Sequence, residues 1–437
     1  MTSFLSPFIL PGLKAVVGVE RKDVVVLGGG PCGVAAALAA RRLGASVLLV
    51  ERYGFLGGTA TSGLYGSLCG FYTSGPEQVQ VVRGIAWEVV ELLSSQDALM
   101  GPVRSGPMVV LLYDPPTLRL VLDEMVLKGG VELLFHSTVV GVRREGGRLT
   151  SVKVCTKSGP LELEGKVFVD ATGDADVSSL AGVPVEKAEV LQAGSMMFRV
   201  SGVRTEEVIP LLLSGELRER VREAVASGEY DLPREDGNLI PLPREGNFVV
   251  GFSRVPVDGT DVRSLTRAEL EGRKQVRECL RFLRERIPGF ENAYLSEIAF
   301  HVGVRETRRI RGRHVLTEEE VLSGARFPDP VARGAWPIER HLPHSRTTEL
   351  RALEGDSWYQ IPYRCCLPLG VENLLVGGRC LSTTSAAQAS TRVMAPSMAT
   401  GQSCGTAAAL CALQGLPAPE LPHEELRREL ERGGALL

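Results

Sequence analysis

Glycines at positions 28, 30 and 33 follow the apolar residues 24–27 and precede an alanine-rich stretch. Glu51 stands eighteen residues after Gly33, at the end of a second apolar run, 47–50. This spacing suits a pyrophosphate-bearing ligand. Gly28 permits a tight turn, Gly30 lets the backbone approach the phosphates, and Gly33 lets a helix lie close on a strand. Pro31 and Cys32 open that helix, whose N-terminus offers free N–H groups and a partial positive charge. Glu51 has no basic residue just before it, which suits a ribose diol rather than a 2′-phosphate. A lone acid at a strand end would otherwise simply be solvated.

Other residues could act on a bound molecule. Arg305, Arg308 and Arg309 carry guanidinium forks able to bind a carboxylate or carbonyl, although such a patch can equally be a solvated face. His341 and His344 lie in a proline-bounded loop, 338–346, and histidine moves protons near neutral pH. His301 falls on an expected strand and reads as a satisfied interior residue. Cys365 and Cys366 lack the spacing of a dithiol centre, so packing is their expected role. No grouping has metal-ligand spacing, no serine elbow is present, and no basic stripe alternates with aromatics as nucleic acid would require.

The elements that must hold these residues follow from the pattern. A strand over 23–27, a helix and a strand over 47–50 form a βαβ opening. Helical spacing recurs over 79–93 and 115–128, the latter with Asp114 as N-cap and prolines in the first turn. Strands are expected over 131–135, 138–143, 149–156 and 161–169, with glycine turns between them. The last runs into Ala171, Thr172, Gly173 and Asp174, small residues that let a strand end approach a ligand; a plain glycine turn with an aspartate cap has the same pattern. Beyond residue 185 come strands over 194–200 and 248–255 and charged helices over 205–227 and 265–287. A strand over 373–380 then leads to Gly378 and Arg379, and a helix poor in side chain covers 398–413.

These blocks, in this order, resemble the FAD-dependent oxidoreductases, whose fold is shared with glutathione-reductase-type flavoproteins. Residues 51–63, 303–317 and 361–408 look like further signatures of the family, and the resemblance covers most of 22–415. It implies FAD as cofactor, with Glu51 and Arg52 at the adenosine ribose and Val139 near adenine. It implies that Gly57, Gly58, Thr59, Ala60 and Thr61 lie beside the pyrophosphate and flavin. It places Ala171, Thr172, Gly173 and Asp174 near the nucleotide, Gly378 and Arg379 by the diphosphate and ribityl chain, and Thr400, Gly401 and Gln402 by the isoalloxazine. Arg392, just before the final long helix, is similar in position to the substrate arginine of fumarate-reductase-type flavoproteins. The chain departs from the family pattern at Glu339, where an aspartate is common two residues before His341.

The expected fold class is α/β. A Rossmann-like FAD-binding domain, a parallel sheet with a β-meander, spans 1–185 and 365–437, and an inserted α+β substrate or cap domain spans 186–364. A length of 437 residues supports two or three domains. A net charge of −3 gives no global attraction to nucleic acid or anionic membranes. Nine cysteines, none in a CxxC pair, point to a reducing cytoplasm. No apolar run reaches the roughly 18 residues of a spanning helix, and residues 1–13 lack the basic start and apolar core of a secretory signal. The activity this implies is hydride transfer between a small organic molecule and FAD, with Arg305, Arg308, His341 and Arg392 as candidate catalytic residues. The electron partner and oligomeric state have no signal in the chain. An NAD-dependent dehydrogenase would leave the 171–174 and 377–379 blocks without a task; a non-enzymatic flavin-binding protein is the other alternative.

Overall fold

The computed structural model describes residues 19–437; the 1–13 segment lies outside the described residues. A seven-stranded sheet carries the glycine turn. Val19–Leu27 pairs in parallel with Val47–Val50 on one side and with Gly159–Asp170 on the other. Glu132–Leu134 extends the parallel edge. The strand Gly159–Asp170 is shared along its length: its first half closes an antiparallel meander with Arg148–Thr156 and Thr138–Glu145, and its last three residues pair in parallel with Leu374–Val376. The distant 373–380 segment is therefore brought to the sheet beside the strand end at Asp170. Central strands covered on both faces are continuously apolar, as Val24 to Leu27 and Val167 to Val169 are.

Two helices pack on this sheet and on each other. Pro31–Arg42 crosses Met394–Gln414 so closely that side chains would not fit. A Cβ on Gly401 would lie 2.1 Å from the Cys32 carbonyl oxygen, and one on Gly405 would lie 2.0 Å from that of Ala36. This contact explains the Ala/Gly/Ser composition of the final helix, which is buried on almost every side from Ala395 to Ala412. The Asp114 cap forms as expected, its carboxylate accepting from the Thr117 backbone N–H.

A second, antiparallel sheet runs Asn238–Pro241, Phe248–Gly251, Phe198–Ser201, Tyr294–Ile298. The helix Val262–Arg286 covers it and buries Cys279, Phe282 and Leu283 in a separate core with Phe198, Phe248 and Phe290. The helix expected over 205–227 is two, Thr205–Ser214 and Glu216–Ser227. Gly215, at φ +82°, turns the chain between them. The small sheet of Ser67–Cys69, Leu99–Ser105 and Met108–Tyr113 was not legible from the sequence, and it sends Cys69, Val110 and Leu112 into this second core. Within 186–364, residues Leu316, Val321, Val331, Tyr359 and Ile361 bury in the first core instead.

Candidate active site

A cavity of about 360 Å³ runs from the glycine turn to the second sheet. At one end, Gly28 adopts φ +108°, and a Cβ there would sit 2.3 Å from the Ala171 carbonyl oxygen. A Cβ on Gly33 would sit 1.7 Å from the Gly28 oxygen, so Gly33 closes the turn from behind rather than lining the cavity. Gly30 caps the helix Pro31–Arg42 with no side-chain hydrogen bond, and Gly30, Pro31 and Cys32 face the cavity. The free N–H groups of that first turn make an anion cradle.

Glu51 lies beside it, 5% exposed. Its carboxylate accepts from the N–H of Gly29 at 2.7 Å and of Tyr53 at 2.9 Å, which fixes it against the turn and leaves acceptor capacity toward the cavity. Burial raises its pKa against the lowering effect of those N–H groups. Arg52, Ser137, Thr138 and Val139 continue the wall.

The strand end after Asp170 is rigidly held. The Asp170 carboxylate accepts from the Thr172 N–H and hydroxyl and from the Ser178 N–H and hydroxyl. Ala171, Thr172, Gly173 and Asp174 line the cavity, as do Gly58, Thr59, Ala60, Gly378 and Arg379. Arg379 donates to the Gly173 carbonyl at 2.8 Å, to Asp174 at 2.6 Å and to the Val304 carbonyl. Its charge is consumed in joining three segments of the wall. Gly57 and Thr61 stand behind that wall, Thr61 donating to the Leu56 carbonyl.

A second helix N-terminus faces the same cavity. Met394–Gln414 has no side-chain cap, and Val393, Met394 and Ser397 line the cavity. Thr400, Gly401 and Gln402, expected here, lie further along the helix and do not reach it. The helix begins at residue 394 rather than near 398, which moves the exposed first turn about one turn upstream. Thr400 instead accepts from the Gly378 N–H, and Gly401 packs on Cys32. The Gln402 amide oxygen caps Ile85–Ser94 by accepting from the Ile85 N–H, while its nitrogen donates to the Gly433 carbonyl.

The inner end is built from side chains. Arg305 is 8% exposed and lines the cavity with Arg392, Tyr65, Cys69, Ser195 and Met197. One Arg305 nitrogen donates to the Ala193 carbonyl at 2.7 Å and to the Ser195 hydroxyl at 3.0 Å. Burial, and then the neighbouring Arg392 charge, lower its pKa to about 9. Arg392 donates to the Glu339 carbonyl at 3.2 Å and approaches the Gln192 amide oxygen at 3.5 Å. Gln388 ties the pair together, donating to the Arg305 carbonyl and accepting from Gln192. Burial raises the Tyr65 phenol, so it remains a hydrogen-bond donor at neutral pH.

Two of the candidate catalytic residues stand outside the cavity lining. His341 is buried behind it, with Nε2 3.2 Å from the Glu339 carboxylate and Nδ1 3.3 Å from the Thr348 hydroxyl. Burial and the Arg305 charge push its pKa well below the ordinary value despite Glu339. Burial opposes charge on Glu339 too, but His341, Arg392 and Arg305 outweigh it and hold this carboxyl well below the usual range. Arg308 is taken by Asp176, the Ser179 hydroxyl and the Asp174 carbonyl. Arg309 pairs with buried Glu306, and His344 is exposed. His301 is satisfied at both ring nitrogens, by Val302 O and Ser62 Oγ, yet it also lines the cavity and stacks on Tyr53 with ring centroids 5.2 Å apart. Tyr65 and Ser195 carry no sequence signal of their own, and Tyr53 lies in the 51–63 block without a role assigned to it. Only the tertiary fold brings them to the site.

Among the described residues no metal-ligating cluster is present and no helix is long and apolar enough to cross a membrane. Curated relatives match in part. A leghemoglobin reductase from Vigna unguiculata is 29% identical over 199 residues, covering 44% of this chain and 35% of that protein. A mitochondrial dihydrolipoyl dehydrogenase from Arabidopsis thaliana is 29% identical over 198 residues, 44% of this chain and 36% of that protein. The chain thus spans about a third of the length of these relatives. Among solved structures, a flavin-dependent brominase superposes with a TM-score of 0.49 at 13% identity, covering 94% of this chain and 84% of that one. A geranylgeranyl bacteriochlorophyll reductase-like protein from Thermoplasma acidophilum gives 0.45 at 14%, covering 95% and 83%. The sequence model of the FAD-dependent oxidoreductases matches residues 23–430. The chain is therefore a member of the FAD-dependent oxidoreductase family, an enzyme whose cofactor is FAD.

Proposed function

We propose that this enzyme transfers hydride between a small organic substrate and FAD. The observation that carries the reading is one cavity with an uncapped helix N-terminus and glycine turn at one end, and at the other two arginines without a carboxylate partner among the described residues. The residues present fit the cofactor. The turn at Gly28, Gly30, Pro31 and Cys32 would take the pyrophosphate, Glu51 the adenosine ribose, and the wall at Val139 the adenine. The first turn of Met394–Gln414 would face the ring system and favour negative charge there.

When bound, FAD supplies a reversible two-electron acceptor. The protein's own residues bind and orient. Arg305 and Arg392 anchor the substrate at the inner end, and Tyr65 and Ser195 offer hydroxyls there. The side chains of Met197, Val304 and Val393 limit water in the same region. Nine free cysteines, eight of them buried, support a reducing cytoplasm as its compartment.

Anaerobic mixing of the FAD-loaded enzyme with a panel of small metabolites tests the reading. At least one member should bleach the flavin's visible absorbance stoichiometrically, or be reduced by the dithionite-reduced enzyme. A protein that retains FAD but exchanges electrons with no member, in either direction, would count against hydride transfer.

A further inference from the structure

Charge is unbalanced at the inner end of the cavity. Arg305 and Arg392 both line it, and neither has a carboxylate of the described residues within ion-pair distance. The neighbouring acid, Glu339, makes its own contacts elsewhere: one carboxylate oxygen accepts from the Trp336 indole at 3.1 Å, and the other faces His341. Behind them, Arg234 and Arg254 share the single carboxylate of Asp236. Four guanidiniums therefore face two carboxylates, while burial keeps His341 neutral. An uncompensated buried cation is costly, and a protein retains one where a ligand supplies the missing charge.

The geometry is that of a receptor. Arg305 uses one terminal nitrogen on the Ala193 carbonyl and the Ser195 hydroxyl, and its Nε and other terminal nitrogen make no hydrogen bond to any described residue. The Arg392 Nε is buried and likewise without a partner. Tyr65 presents a hydroxyl with no hydrogen bond to a described residue, in the same lining. The two arginines hang from consecutive residues, Arg305 from Ala193 and Arg392 from Gln192, and Gln388 locks Gln192 to the Arg305 backbone.

We infer that the inner end is a carboxylate-binding site, and that the enzyme's substrate is a small organic acid held through its carboxylate by Arg305 and Arg392, with the Tyr65 hydroxyl as an additional donor. Planar guanidiniums match a carboxylate in shape as well as charge. Gln192 and Gln388 are positioning residues that set the separation of the two guanidiniums. This inference rests on the flavoenzyme reading for the word substrate, but not for the binding site itself.

The test uses the FAD-loaded enzyme, with propionate and benzoate as probes and propionamide and benzamide as neutral isosteres. The readouts are perturbation of the flavin's visible spectrum and ligand-induced thermal shift. A carboxylate should bind saturably, and its amide at least about tenfold more weakly, as expected when a charged hydrogen bond is lost. Arg305→Gln and Arg392→Gln should each weaken carboxylate binding by about tenfold or more with FAD content unchanged, and Tyr65→Phe should weaken it severalfold. If a glutamine variant does not fold, Arg305→Lys keeps the charge but not the fork, and it should retain intermediate affinity. Equal binding of acid and amide, no saturable carboxylate binding to the loaded enzyme, or loss of FAD in place of loss of carboxylate affinity would overturn the inference. Saturable carboxylate binding together with no electron exchange, in either direction, by any member of the metabolite panel would leave this site standing and count against hydride transfer; exchange with neutral members of the panel alone would do the reverse.

Discussion

The two ends of the cavity are built by different physics. The cofactor end is backbone: glycines at 28, 30 and 33, a bare helix N-terminus, and one carboxylate pinned by two N–H groups. The inner end is side chain: two arginines, a tyrosine and a serine, set by two buried glutamines. A backbone site has fixed local spacing, because Gly28 and Gly33 answer contacts with the adjacent strand end and within the same turn. A side-chain site assembles from residues 65, 192, 305, 388 and 392, which no local pattern connects. On the proposed function, the first end would serve any reaction that uses FAD, and the second would carry the discrimination between substrates.

The largest expected effect breaks the cofactor end outright. Gly33→Val places a side chain where the Gly28 carbonyl already lies, and a Cβ alone would be 1.7 Å from that oxygen. Neither strand nor helix can yield without opening the turn, so soluble protein should carry no FAD; cofactor content after gel filtration reads this. Glu51→Gln is milder. It keeps an acceptor for one N–H but removes the charge and one of two short contacts, so FAD affinity should fall by about tenfold, as measured by flavin fluorescence quenching.

The inner end should show itself through pH. The folded-state pKa of His341 lies below its ordinary 6.5, so the unfolded chain binds the extra proton and stability falls as pH drops below about 6.5. Glu339, held below its ordinary 4.5, adds a further loss as pH falls past about 4.5. Urea midpoints taken from neutral pH down to about 3 should decline in these two stages, and His341→Gln should flatten the upper one. The smallest effect separates packing from chemistry. Gln402→Ala removes the cap on Ile85 and should cost about 1 kcal/mol of stability, while FAD content and the flavin spectrum stay unchanged.

The difference between the ends also explains what could be read from the chain. The βαβ opening, the meander and the return of 374–376 to the sheet were legible because apolar runs and glycine turns repeat at fixed periods. Sixteen of the residues expected at the cofactor line the cavity, among them Glu51, Val139 and Arg379. Gly33, Gly57 and Gly401 are needed for close approach of backbone to backbone or side chain, and that demand leaves the same glycine signature as approach to a ligand. The resemblance puts Gln402 by the isoalloxazine, but the uncapped helix starts at residue 394, one turn before the expected 398, and the Gln402 amide caps a neighbouring helix instead. His341 has the right chemistry for a proton carrier, but its burial behind Glu339 depends on packing that no short window encodes.

If the glycine end holds the cofactor and the arginine end does not, the two ends must differ in their effect on FAD affinity. Titrating the apoproteins of the wild type, Glu51→Gln and Arg305→Gln with FAD, and following flavin fluorescence, tests it most directly. Arg305→Gln should keep wild-type affinity, and Glu51→Gln should bind FAD more weakly. Equal weakening in both, or weakening in Arg305→Gln alone, would contradict this and assign buried Arg305 to the cofactor.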